Sequence, residues 1–107
     1  MTEHPQHFPV SFNATAVAAT VAAAGSLRRV TRLTLDIGDT TAGVTVTVQV
    51  LSASTVIDQI TVDSTTKHVS RESNAVAKST EALRYSRTVT GAPAASSVFF
   101  AMDYRNG

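Results

Sequence analysis

The three histidines are the residues of this chain best suited to bind a metal ion or transfer a proton. They are His4, His7 and His68. His4 and His7 could share a metal with a third ligand, but both stand near prolines in a segment without hydrophobic periodicity, and we interpret them as solvated. His68 follows Lys67, with no carboxylate or nucleophile at a spacing typical of catalysis. The histidines therefore predict no metal site and no general base.

Five arginines form two clusters that could recognise phosphate or carboxylate groups, because a guanidinium donates two parallel hydrogen bonds to such groups. The clusters are Arg28, Arg29 and Arg32 in one predicted strand and Arg84 and Arg87 in another. If both strands share a sheet edge, the arginines form one basic stripe. Such a stripe fits a solvated face that prevents unwanted strand pairing, a contact with a protein subunit, or a contact with nucleic acid. Nucleic acid is the least favoured, because only Tyr85 is an aromatic residue interleaved with them.

The composition argues against an enzyme. The sequence has no cysteine, so disulfides and thiol chemistry are excluded, and it has only five glycines and no glycine-rich phosphate loop. A formal net charge of +1 is too small to indicate an acidic or nucleic-acid partner by itself. We predict a non-enzymatic protein with no catalytic residue, no cofactor and no metal.

The stretch from Val44 to Val50 indicates how the chain positions its side chains. Its four valines alternate with Thr45, Thr47 and Gln49. Successive side chains of a strand point to opposite faces, so the stretch predicts a strand with one dry and one wet face. Strands of this kind are typical of antiparallel sheets, because parallel strands are usually buried on both faces.

Similar alternation, separated by turn residues, predicts about seven strands, near residues 15–24, 27–37, 44–51, 55–63, 69, 83–89 and 98–105. The economical pairing is a hairpin of 15–24 with 27–37 across Gly25 and Ser26. Alanine is also the best helix former, and Val17 and Val21 lie four residues apart, so the sequence leaves strand and helix both open over residues 14–24.

We therefore predict an all-β, single-domain antiparallel β-sandwich of the jelly-roll or Ig-like type. Residues 1–13, with Pro5 and Pro9, are predicted to form an extended N-terminal arm that is ordered against a neighbour, and residues 14–107 to form the sandwich. The sequence contains no run of about 18 apolar residues, so it predicts no membrane span. The N-terminus lacks the features of a signal peptide, so we expect synthesis in the cytoplasm.

The order of the segments resembles that of small β-sandwich proteins encoded among the structural genes of tailed bacteriophages. The resemblance covers about residues 14–105. It is carried by the predicted hairpin from Val21 to Leu35, the Val-Thr strand at 44–48, the segment Glu81-Ala82-Leu83, and a last strand that ends near Tyr104. It implies a role in the virion, as a capsid decoration protein, a head fibre or a minor tail component, and it implies no catalytic residues.

The implied partners are other virion proteins, namely major capsid or tail subunits, and further copies of the chain in a homo-oligomer. Neither a membrane nor nucleic acid is an expected partner. The candidate interface residues are Phe8, Phe12, Arg28, Arg29, Arg32, Arg84, Arg87 and Phe99. Two alternatives remain: a carbohydrate-binding sandwich, which would use exposed aromatics such as Phe99 or Tyr85, and a coat protein that contacts nucleic acid.

Overall fold

The computed structural model describes residues 6–12, 18–38, 43–91 and 98–106, with backbone alone for 6–12 and for residue 19. The described residues form nine strands and no helix. The strands are β1 (Gln6–Phe12), β2 (Ala18–Ala22), β3 (Arg28–Asp36), β4 (Thr45–Ser52), β5 (Thr55–Asp63), β6 (His68–Glu72), β7 (Val76–Ala77), β8 (Leu83–Thr90) and β9 (Val98–Asn106).

The strands form two sheets in which every pair is antiparallel. One sheet has the order β1-β9-β3-β6, with the two-residue β7 also paired to β3, and the other has the order β2-β8-β4-β5. The chain thus folds as four nested pairs, β1 with β9, β2 with β8, β3 with β6 and β4 with β5, which alternate between the sheets. This arrangement is a jelly roll. It confirms the predicted antiparallel sandwich and selects one of the two predicted types.

The core lies between the two sheets and is built from alternate residues of the strands. Val46, Val48 and Val50 of β4 are at most 1% exposed, which confirms the predicted dry face of this strand. The rings of Tyr85 on β8 and Phe100 on β9 stack across the core with their centroids 5.3 Å apart. β8 therefore lies over β9, and the same strand orders place β5 near β6 on one side of the sandwich and β2 near β1 on the other.

The predicted hairpin of residues 15–24 with 27–37 is wrong. β2 pairs with β8, while β3 pairs with β9, β6 and β7 in the opposite sheet. The chain crosses between the sheets at residues 23–27, where the Gly25 N–H donates to the Ser79 carbonyl oxygen at 2.8 Å instead of closing a tight turn. Because the nested pairing places β2 and β3 in different sheets, their apolar faces contact the core from opposite sides. Residues 18–22 are a strand, so the helical alternative is also wrong for them.

Part of the predicted N-terminal arm is an edge strand of this same chain. β1 pairs with β9 in an unbroken register from Gln6 opposite Tyr104 to Phe12 opposite Val98. Pro9 is compatible with this position because an edge strand has one side that needs no ladder hydrogen bond. Residues 1–5 and 13 lie outside the described residues, and the division of the chain at residue 13 stays a prediction.

A β-bulge changes the faces of β5. Asp58 lies opposite Val50, but Val56 lies opposite Leu51, so Ile57 is the extra residue. The bulge reverses the alternation, which leaves Val56 46% exposed, while Ile60 stays buried at 2%. The expectation that Val56 shares the inner face with Ile60 is therefore wrong, because strict alternation does not hold across a bulge.

Candidate assembly surface

The outer face of the first sheet carries a row of polar cross-strand pairs between β3 and β6. The pairs are Arg32 with Glu72, Thr34 with Ser70, and Asp36 with His68. Arg32 Nη1 donates to Ser70 Oγ at 3.1 Å, and the hydroxyls of Thr34 and Ser70 are 3.0 Å apart. His68 Nδ1 lies 3.0 Å from Asp36 Oδ2, and both side chains are exposed. This face therefore presents hydroxyl groups and charged groups of both signs to a partner.

The outer face of the second sheet is uncharged along its centre. The hydroxyls of Thr47 and Thr61 are 3.1 Å apart, and Gln49 Nε2 lies 3.5 Å from Gln59 Oε1. Thr88 continues the row on β8, opposite Thr47. The wet face predicted from the Val-Thr alternation is confirmed, and its side chains form hydrogen bonds with those of the neighbouring strand β5.

One side of the sandwich is closed by a charged cluster between β5 and β6. Arg71 Nη2 donates to Asp58 Oδ1 at 2.8 Å, and Nη1 lies 3.3 Å from Oδ2, so the ion pair joins the two sheets. Arg71 also donates to the Gln59 carbonyl oxygen, and Ser73 Oγ donates to Asp58 Oδ2 at 2.5 Å. We call Asp58, Arg71 and Ser73 the closing cluster.

The electrostatics of the closing cluster stabilise the charged forms. Burial alone would raise the pKa of Asp58, but hydrogen bonds from Arg71, Ser73 and the Gln59 N–H, with the positive charge of Arg71, outweigh burial and lower that pKa below 3.8. The hydrogen bond to Asp58 raises the pKa of Arg71 against the opposing effect of burial. The pair therefore stays ionised at neutral pH.

The closing cluster was not predicted from the sequence, although one signal was present. Asp58 interrupted the apolar alternation of its strand, and a carboxylate in such a position needs a partner. Arg71 could not be assigned as that partner from the sequence, because the two residues lie on strands of different sheets.

The predicted basic stripe does not form. β3 and β8 are interior strands of different sheets, so their arginines share no edge. Arg32 is exposed, Arg28 and Arg29 are half-buried, and Arg28 Nη1 donates to the Ser26 carbonyl oxygen at 2.5 Å. The contact of these residues with a partner stays a prediction.

Arg84 and Arg87 do not lie together, because residues three apart on a strand point to opposite faces. Arg84 is half-buried, with Nη1 3.5 Å from the Ala53 carbonyl oxygen. Arg87 points into the core and is 2% exposed, and burial lowers the pKa of its guanidinium while the nearby Tyr85 raises it. In this structure Arg87 is therefore not presented to a partner.

The aromatic candidates differ in accessibility. Tyr85 is 2% exposed, and burial raises the pKa of its phenol. Phe99 is 36% exposed and lies between Asp36 of β3 and Ser11 of β1. Phe8 and Phe12 lie in β1, opposite Met102 and Val98, and their side chains are outside the described atoms. Of the two aromatics proposed for carbohydrate binding, Phe99 alone is accessible.

The Glu81-Ala82-Leu83 segment has a structural role. Glu81 Oε1 accepts a hydrogen bond from Ser52 Oγ at 2.5 Å, and the Ala82 carbonyl oxygen accepts one from the Ala53 N–H at 2.9 Å. Leu83 is fully buried. The segment therefore fixes the start of β8 to the turn that joins β4 to β5.

The expectation that the chain contains no Ser-x-x-Lys motif is wrong, because Ser64–Lys67 has this spacing. Ser64 lies in the tight turn after β5, where Asp63 Oδ1 accepts hydrogen bonds from the Thr65 and Thr66 N–H groups. Ser64 Oγ accepts a hydrogen bond from the Gly43 N–H at 3.2 Å. These contacts give the serine a role in joining two loops.

The described residues contain no cluster of three or more histidine and acidic side chains that could hold a metal ion. Within the same residues, no helix could cross a membrane.

Comparison with known proteins yields similar structures and no match among family profiles or curated sequences. A chain from the acid-stable capsid of Helicobacter pylori bacteriophage KHP30 aligns with a TM-score of 0.62 and 16% identity, over 97% of this chain and 93% of that chain. A chain of Bacillus endospore appendages, described as disulfide-linked pili, aligns with a TM-score of 0.55 and 21% identity, over 98% and 88%.

A chain of Desmodium yellow mottle tymovirus aligns at a TM-score of 0.43 and 6% identity, over 99% of this chain and 88% of that chain. At these identities, the phage capsid and the pilus share a fold with this chain. Both alignments span nearly the whole chain, so the likeness extends beyond a single sheet or hairpin.

Proposed function

We propose that this chain is a non-enzymatic structural subunit of a phage virion, either a capsid decoration protein or a minor head or tail component. The observation that carries the proposal is the near full-length likeness to the capsid chain of bacteriophage KHP30, which leaves little of either chain outside the shared jelly roll. The segment order that resembles virion sandwich proteins supports the same assignment.

The geometry of the two outer faces supports a role in assembly. Both faces are polar sheets whose cross-strand pairs bond laterally, as between Thr34 and Ser70 on one and between Thr47 and Thr61 on the other. Many copies bound to a symmetric lattice need only weak individual contacts, because multivalency raises the effective affinity. A hydrogen-bonding face of this kind suits such contacts.

The composition favours a particle over the kind of pilus with which the chain shares its fold. That pilus is described as disulfide-linked. The present chain has no cysteine, so its copies cannot be joined in that way. The proposed assembly of this chain therefore needs no disulfide bond between its copies.

Carbohydrate binding is less well supported, because Tyr85 is buried and Phe99 is the one accessible aromatic of the pair. Contact with nucleic acid would have to proceed without Arg87, which is buried. A steep loss of affinity with rising salt, reduced by substitution of Arg32, would support that function instead.

The proposal is tested by analysing particles purified from cells that carry the gene in its native genome. We expect mass spectrometry to detect the chain in the particles in a fixed ratio to the major capsid subunit. As a control, particles from a strain with this gene deleted should bind the purified chain when it is added back. A chain that remains in the soluble fraction and binds no particle would overturn the proposal.

A further inference from the structure

We propose that β2 is a self-association edge, where the β2 strands of two copies pair antiparallel across a two-fold axis and join their sheets into one. This inference rests on the proposed function and specifies a partner for the subunit, namely a second copy of the chain. The axis passes next to Thr20, the middle residue of the strand.

The two sheets have four edge strands, β1, β6, β2 and β5, and three of them carry features that oppose pairing. The ion pair of Asp58 and Arg71 joins β5 to β6, and Arg71 also donates a hydrogen bond to the Gln59 carbonyl oxygen of β5. β6 also contains His68 and Glu72. β1 contains Pro9, which has no N–H to donate.

β2 differs from the other edges in its side chains. Its sequence, Ala-Ala-Thr-Val-Ala, has no charge and no proline. Ala18 and Thr20 are exposed, and side chains of this size allow two backbones to approach closely. Among the described residues β2 bonds to β8 on one side alone, so its other side presents N–H and C=O groups that a further strand can bond.

A second copy fits this edge because the strand is complementary to itself. With Thr20 opposite Thr20, no like charges meet directly, because the whole of β2 is uncharged. Arg84 is opposite Thr20 on β8, so the two copies of Arg84 would lie three strand spacings apart, or about 14 Å. That separation exceeds the Debye length of about 8 Å at physiological ionic strength, so their repulsion is largely screened.

The seam also continues the uncharged outer face of the second sheet. By register, one row across this sheet consists of Gln59, Gln49, Ser86 and Ala18. Pairing at β2 joins this outer face to that of the partner without placing a charge on either strand of the seam. The register of β2 shifts at Val21, so the regular pairing is short. A weak dimer, strengthened by multivalency in a lattice, is the expected form.

The test is sedimentation velocity of the intact chain over a wide range of protein concentration, compared with Thr20→Lys and Thr20→Glu variants. We expect the fraction of wild-type dimer to increase with protein concentration. The dissociation constant of each variant should be about fivefold or more higher, since like charges then face each other across the axis. An equimolar mixture of the two variants should restore the dimer. Chemical unfolding of each variant, compared with wild type, separates dimer loss from misfolding next to Arg84.

The matched control is Thr88→Lys, which adds the same charge to an exposed position of the same face on the interior strand β8. It should leave the dissociation constant unchanged. A wild-type monomer at all concentrations, or equal weakening by Thr88→Lys, would overturn the proposal. Failure of the mixture to restore the dimer would overturn the two-fold geometry. Particle binding by a chain that remains monomeric would refute this edge while leaving the virion role intact.

Discussion

At the residue scale, Asp58 shows how a position that interrupts a sequence pattern can hold a fold together. The alternation of β5 identified Asp58 as an exception, and the structure pairs it with Arg71 and Ser73 between the two sheets. We expect Asp58→Asn to lower the free energy of unfolding by about 1–2 kcal/mol, the range for a hydrogen-bonded ion pair that is partly exposed to solvent. Urea denaturation at neutral pH measures the effect.

The same variant has a defined pH dependence. The pKa of Asp58 in the folded chain lies below its usual value of 3.8, so the carboxylate contributes stability fully above the unfolded pKa and loses it as pH falls through the folded pKa. The stability difference between wild type and Asp58→Asn should be constant above about pH 5 and shrink below about pH 4. Asp36→Asn, which removes an exposed pair with His68, is the control and should cost less. A difference that grows on acidification would contradict this electrostatic account.

Gly91 is a second residue whose role becomes apparent only in the folded chain. Its φ is +92°, and a Cβ there would lie 3.0 Å from the Gly43 carbonyl oxygen and 3.3 Å from Val44 Cα, which are backbone atoms that cannot rotate away. We expect Gly91→Ala to cost about 1–3 kcal/mol of unfolding free energy. Gly43→Ala separates the two causes, because Gly43 has a similar φ of +87° but open space at its Cβ. Equal costs in urea denaturation would show that the close approach does not matter.

At the element scale, the sequence predicts individual strands better than their partners. The alternation of β4 correctly identified its buried valines and its wet threonines, because a face is encoded within one strand. The pairing of β2 with β8 is not encoded in this way. It follows from the nested order of the whole chain. A tight turn at Gly25 instead predicts a hairpin of β2 with β3.

β1 illustrates the same point at the N-terminus. Prolines and missing periodicity predicted an arm over residues 1–13, but residues 6–12 supply seven consecutive positions of pairing to β9. Removal of residues 1–12 would therefore expose a new edge of the first sheet, and it cannot test contacts of the arm with other subunits.

A shorter deletion separates these effects. We expect removal of residues 1–12 to lower the free energy of unfolding, because β9 loses its partner along the whole of β1. Removal of residues 1–5 should lower that free energy less, because the pairing of β1 with β9 is kept, and should weaken particle binding if these residues contact another subunit. Thermal unfolding and particle co-sedimentation of both variants provide the two readouts. Equal unfolding temperatures for the two variants would contradict the structural role of β1.

At the scale of the whole molecule, the closing cluster and β2 give the sandwich two different sides. The side of β5 and β6 is joined by Asp58 and Arg71, whereas β2 on the other side is short and uncharged and, within the described part of the chain, bonds to β8 alone. This asymmetry could not be predicted from the sequence, because it depends on which strands become edges. Arg32 and Phe99 are exposed, whereas Arg87 is buried because it lies on the inward face of β8, and the contact of these residues with a partner stays a prediction.

The central claim is that the chain acts as a structural subunit of a virion, and a binding titration tests it most directly. Purified chain is added in increasing amounts to particles that lack its gene product, and bound copies are counted by quantitative mass spectrometry. We predict saturation at a fixed ratio to the major capsid subunit, as expected for repeated sites on a symmetric lattice. Binding that never saturates, or no binding at all, would contradict the claim.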